Sequence, residues 1–184
     1  MALPRRRFWP EPDWSAPAAG FSLAELLVTV AVLLLLAAMA IGGAQGSLAT
    51  LRVESAARRV LLGLSEGRAC AERRGEPCAL SLTADGWQEP ATGSLPACRE
   101  GRIDLTEAID GGAIRLVDNL PELVRFSSNG LVLDGGTVVL SADGTELRRC
   151  LVMALPLGVV RLGRYGGDPG ATPISDQCRP DPTL

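Results

Sequence analysis

The sequence predicts an α+β protein: a long N-terminal α-helix, transmembrane and then amphipathic, packed on an antiparallel β-sheet or small β-sandwich head. Three observations predict it. Residues 21–41, FSLAELLVTVAVLLLLAAMAI, carry one charge, Glu25. Farther on, Val53, Ala56, Ala57, Val60, Leu64 and Ala71 recur at helical spacing. After Pro77 the pattern changes to period two, with strands separated by Asn-Gly, Asp-Gly and Gly-Gly.

Residues 1–20 form a polar leader with Arg5, Arg6 and Arg7 and prolines at 4, 10, 12 and 17. Arginines ahead of an apolar run keep that side of a membrane cytoplasmic. Residues 21–43 are expected to be the membrane-spanning half of the helix. At ~1.5 Å per residue, Phe21 to Ile41 reaches about 30 Å, the thickness of a bilayer core. Gly42 and Gly43 weaken the helix without ending it, leaving local melting and close helix packing both open. Residues 44–76 form the amphipathic half, with Glu54 and Arg58 an i, i+4 pair in the favoured order. Further along it, Arg58, Arg59, Arg68, Arg73 and Arg74, interleaved with Glu54, Glu66, Glu72 and Glu76, read as a solvated face.

Residues 77–164 form the β-rich head. CALSLT, from Cys78, is a strand ahead of an Ala-Asp-Gly turn. Further strands are expected within 101–109, 112–117, 123–130, 131–136, 137–144, 146–155 and 158–164. Trp87 is expected as a lid on the sheet core. Arg148 and Arg149 adjoin on one strand and point to opposite faces, as exposed rim residues. Residues 165–184 are a Gly/Pro-rich tail, expected as loop and tethered if Cys178 is bonded.

Composition excludes much chemistry. The 184 residues carry a net charge of −3, all 18 basic residues are Arg, and there is no Lys or His. That charge gives no general electrostatic case for nucleic acid. A Ser-His-Asp triad, a His-ligated zinc, a Lys Schiff base and a P-loop lysine are all impossible. Gly63-Leu-Ser-Glu-Gly67 matches the nucleophile-elbow pattern, but it lies within a predicted helix with no strand before it and no histidine to act as base. No catalytic residue, cofactor or metal site is expected.

The five cysteines contain no C-x-x-C pair, and their dispersion beyond an apolar segment indicates disulfides in an oxidising compartment. A Cys150–Cys178 bond would dock the tail on the sheet. Of the others, Cys78 and Cys98 are one pair, leaving Cys70 free; Cys70 to Cys78, across the helix-to-strand turn, is the rival. Choosing the free thiol and the pairing leaves about fifteen connectivities open.

Glu25 is the odd residue, because a carboxylate is costly inside a membrane. A cleaved signal peptide, cut after Ala40, would interrupt a continuous helical pattern, and a plain anchor leaves Gly20, Phe21 and Glu25 unexplained. Gly20-Phe-Ser-Leu-Ala-Glu25 followed by an uncharged run resembles the class III signal of type IV pilins and type II secretion pseudopilins. The resemblance implies cleavage by prepilin peptidase after Gly20, N-methylation of Phe21, and an assembly role for Glu25. Cleavage creates a cationic amine in apolar surroundings, which a carboxylate one turn away, on the same or a neighbouring chain, neutralises.

Downstream, residues 122–164 are similar to the sheet region of the GspH/FimT branch of that family. Phe126 and Gly130 fit its Phe-x-x-x-Gly turn. Its closing Gly-Arg-x-Arg segment reads Gly158-Val159-Val160-Arg161, so the first arginine is missing, and Arg164 lies nearby out of register. In DNA-uptake members this motif contributes to DNA binding, which makes Arg161 and Arg164 weak candidates for DNA contact and leaves nucleic acid a disfavoured partner. The resemblance implies a pilin-like fold and a minor pilin or minor pseudopilin without enzymatic activity. Its partners would be other pilins or pseudopilins, prepilin peptidase and the bacterial inner membrane. It would cross that membrane once, with the N-terminus cytoplasmic and the head periplasmic. A DNA-capturing minor pilin and an ordinary secreted or anchored β-domain are the alternatives.

Overall fold

The apolar run and the helical stripe after it form one helix, α1, from Leu23 to Arg74. The computed structural model describes residues 20–106, 112–155 and 159–181, with the side chains of residues 39–45 in α1 left out. The leader before Gly20, with its three arginines, lies outside the described residues. The chain divides into two units, Met1–Ile41 and Gly42–Leu184.

In the first unit, Ser22 precedes the helix and its Oγ accepts the Glu25 backbone N–H at 3.2 Å, satisfying a free donor of the first turn. Side chains 21–38 are all exposed. Among the described residues no helix is long and apolar enough to cross a membrane.

In the second unit α1 buries Ala49, Val53, Ala56, Ala57, Val60, Leu64, Cys70 and Ala71. The head has two sheets. In the first, β1 (Cys78–Thr83), β2 (Gly86–Gln88), β3 (Ile103–Asp104) and β5 (Val124–Phe126) take the order β3-β2-β1-β5. In the second, β4 (Ile114–Asp118), β6 (Gly136–Ala142), β7 (Arg149–Ala154), β8 (Val159–Tyr165) and β9 (Cys178–Pro180) take the order β4-β6-β7-β8-β9. All neighbouring strands are antiparallel.

Both sheets share one core with α1: Leu80, Trp87 and Phe126 from the first, Val138, Leu140, Leu151 and Met153 from the second. Strand alternation sends Cys150 to the opposite face of the second sheet, where it clusters with Val139, Tyr165 and Cys178.

Several expected elements differ. Of the strand expected over 131–136, Gly136 begins β6 and the rest forms only an isolated bridge, Val132 to Phe126. There the Asp134 carboxylate accepts the Arg125 backbone N–H at 2.8 Å, taking the place of a ladder bond. The strand expected within 101–109 is confined to β3, and residues 107–111 lie outside the described residues. Trp87 sits within β2, fully buried. The tail is not simply loop, because Cys178–Pro180 adds a strand beside β8. The charged face of α1 is partly committed: Arg59 donates to the Asp104 carbonyl, Arg74 to the Ala97 carbonyl, and Glu66 pairs with Arg99.

The Gly63-to-Gly67 motif is a packing device. A methyl on Gly63 would overlap the Trp87 indole, and one on Gly67 would come within 2.5 Å of the Phe126 ring. Four residues apart, the two glycines share a helix face and receive one aromatic each. Trp87 Nε1 donates to the Val60 carbonyl at 3.0 Å, so the buried indole leaves no orphan donor. Ser65 is exposed, and its hydroxyl donates back to the Leu62 carbonyl.

Gly63→Ala and Gly67→Ala should therefore destabilise the head. Helix propensity favours alanine by about 1 kcal/mol, but overpacking against a fully buried ring costs about 1–3 kcal/mol. Denaturant unfolding should show a net loss for both variants and a change within about 0.5 kcal/mol for Ser65→Ala. Stabilisation by either glycine substitution would refute the packing role.

Candidate functional site

Two regions bring chemistry-bearing residues together. At the start of α1, Gly20 lies outside the helix with open space around its α-carbon, and Phe21 is 80% exposed. Glu25 follows in the first helical turn. A carboxylate there meets the positive end of the helix dipole, and Ser22-Leu-Ala-Glu25 has the spacing of a capping box. The Gly20–Phe21 bond is thus accessible, one turn ahead of an acid.

The second region is a buried ion cluster joining α1, β7 and the tail. Strand alternation points Arg149 at the helix, where only 5% of its side chain is exposed. Its Nε donates to Glu54 Oε1 at 2.7 Å, its Nη2 donates to the same oxygen, and its Nη1 donates to Asp181 Oδ2 at 2.6 Å. Burial works against the charge on Arg149, but the hydrogen bonds and charges of Glu54 and Asp181 outweigh it and hold its pKa above the usual arginine value. The expectation of an exposed rim residue is therefore wrong for Arg149. Glu54 turns inward to Arg149, and no bond joins it to Arg58, the partner expected from spacing.

Covalent geometry places the tail. The structure bonds Cys150 to Cys178 and Cys78 to Cys98, and Cys70 is a buried free thiol. The first bond links β7 to β9 across β8, with Cα atoms 5.8 Å apart. Next-nearest strands of a flat sheet stand ~9.5 Å apart, so β9 curls over β8. Gly163 makes this possible: it lies opposite Cys150, and a side chain there would overlap the Arg179 carbonyl. Closing this long loop contributes about 3–4 kcal/mol in the chain-entropy model.

The remaining singled-out residues separate. Phe126 is buried, and the turn after it closes by Gly130 N–H to the Ser127 carbonyl at 2.8 Å. Arg161 and Arg164, three apart on β8, fall on opposite faces. Arg164 leans on Asp181 at 3.3 Å, while Arg161 is exposed on the outer face, so the two do not form one cationic patch. Arg125 makes a two-point pair with Asp134 that holds its carboxyl below the ordinary aspartate range. A depressed carboxylate stabilises the fold at neutral pH and loses that contribution as pH falls through its folded pKa.

An amphipathic helix docked on two antiparallel sheets, continuous with an apolar segment that has an acid in its first turn, defines a helix-plus-β-head protein. The family model for type II transport protein GspH matches residues 56–156, and the chain belongs to that family. Membership supports a type II secretion pseudopilin-like role, and the family is one of structural subunits. No curated protein and no solved structure matches the chain. The match spans α1 from Ala56 through β7 and stops before β8, the tail and Asp181.

Arg149→Leu should cost about 3–5 kcal/mol, because it removes the buried cation that Glu54 and Asp181 share. Arg164→Ala, at an exposed pair, should cost less than about 1 kcal/mol. Chemical denaturation of the two variants tests this; equal losses would mean that Arg149 is not the centre of the cluster.

Proposed function

We propose that the chain is a minor pseudopilin: a structural subunit of a type II secretion pseudopilus, held in the inner membrane before assembly with its head in the periplasm. The observation that carries this reading is the exposed Gly20–Phe21 bond one turn ahead of Glu25, on a chain whose head matches the GspH model. Prepilin peptidase cuts after Gly20 and Phe21 is N-methylated. The new amine then sits at the positive end of the helix dipole, where its charge is least tolerated. Glu25, on the same or the next subunit, offsets that charge and favours one axial register, a task to which ion pairs in apolar surroundings are suited. Residues 21–43 serve as the membrane span and then as part of the filament core. The arginine-rich leader and the two disulfides support a cytoplasmic N-terminus and an oxidising compartment for the head.

The family match favours a secretion pseudopilus over a type IV pilus. DNA capture is the weaker reading, because Arg161 and Arg164 face opposite ways and the head has no arginine at Val159. Intact-mass analysis of protein from the cell envelope should find Phe21 first, carrying one methyl group. Glu25→Ala should preserve that processing and lower the subunit's content in sheared filaments. A mature start at Ile41, or wild-type incorporation of Glu25→Ala, would overturn the reading.

A further inference from the structure

We propose that Cys150–Cys178 is a selectively reducible latch: its opening releases residues 166–181 as a strap while the core between helix and sheets stays folded. The two disulfides differ in access. Cys78 and Cys98 are 1% and 2% exposed, both inside the main core. Cys150 is fully buried, but its partner Cys178 is half-buried on the edge strand, so this bond is the less enclosed of the two. Thiol–disulfide exchange needs an accessible sulfur in line with the attacking thiolate, so a reductant reaches this bond first.

The strap is built to leave without the core. Among the described residues, the main core cluster includes nothing beyond Leu162. The strap is held by polar contacts rather than by the main core: the β8–β9 ladder, Arg148 Nη1 to the Gly167 carbonyl, Asn119 Nδ2 to the Pro173 carbonyl, the Ile174 N–H to the Tyr165 hydroxyl, and Asp181 to Arg149 and Arg164. Apart from buried Pro173 its residues are exposed or half-buried. Once released, it uncovers Val139 and Tyr165 on the outer face and opens the edge of β8. Arg149 keeps Glu54 as counter-ion, so loss of Asp181 does not strand a buried charge.

The chemistry balances with a dithiol as reductant. Its thiolate attacks Sγ of Cys178, the S–S bond breaks, and Cys150 leaves as a thiolate that takes a proton from solvent. The reagent's second sulfur then displaces Cys178 as a thiol and closes the reagent's own disulfide, so two electrons pass from dithiol to protein. In an oxidising compartment the reverse reaction relatches the strap, which makes closure of the head a readout of its redox surroundings.

The test is a dithiothreitol titration of the full-length protein, quenched by alkylation and mapped by mass spectrometry, together with hydrogen exchange. Cys150 and Cys178 should become labelled at roughly one tenth of the dithiol concentration that opens Cys78–Cys98. Exchange across 166–181 should speed up on the order of a hundredfold, while residues 49–71 and β1 stay protected. Cys178→Ser should reproduce the open state without reductant, with the other disulfide intact. Simultaneous reduction of both bonds, protection of 166–181 in Cys178→Ser, or loss of protection along residues 49–71 in that variant would each overturn the latch.

Discussion

How near the two sheets can approach α1 sets the rest of the head. The buried face of the helix is built largely from small residues, Ala49, Ala56, Ala57, Gly63, Gly67 and Ala71, with Val53, Val60 and Leu64 between them. Small residues let strand side chains reach the helix backbone, which is why Trp87 both packs on Gly63 and bonds the Val60 carbonyl. Interiors reward such contact because dispersion falls off within a fraction of an ångström. With one aromatic from β2 and one from β5 seated on α1, the first sheet has little freedom in its position along the helix. The second sheet completes the same core through alternate residues of β6 and β7.

Against this apolar background the charge of Arg149 is the exception. Removing a guanidinium from water costs several kcal/mol, which only well-placed acids offset. One acid comes from the helix and the other from the C-terminal segment, so the cluster joins three parts of the chain distant in sequence. The disulfide beside it and the glycine beneath it bring the tail to the place where Asp181 can act. A tail with too little apolar surface to order itself is thus positioned by one covalent bond, one ion pair and a missing side chain.

The N-terminal unit follows different physics. Over residues 23–38 its helix exposes mostly apolar side chains and has a single acid at its head, an arrangement suited to burial by something other than its own chain. The head's membership of the GspH family supports a pseudopilin-like role in association with other pseudopilins. Glu54 and Asp181 belong to the fold of one subunit, while for Glu25 we propose a part in assembly.

The sequence by itself determined the helix, the buried stripe from Val53 to Ala71, and most strands, because periodicity and turn chemistry act over a few residues and need no partner. It also determined the Gly-Phe-Ser-Leu-Ala-Glu register, a local motif by nature. Only the tertiary structure decided which residues meet across long separations. Strand order selected two cysteine pairs from many connectivities and turned Arg149 inward to two acids where local spacing had offered Glu54 a neighbour on its own helix. The same holds for Gly63 and Gly67, whose spacing imitated a nucleophile turn until two aromatics from another part of the chain filled the space beside them. A glycine's sequence context does not say what occupies the room it leaves, and a charge's neighbours in sequence do not reveal the ones it will meet once water is excluded.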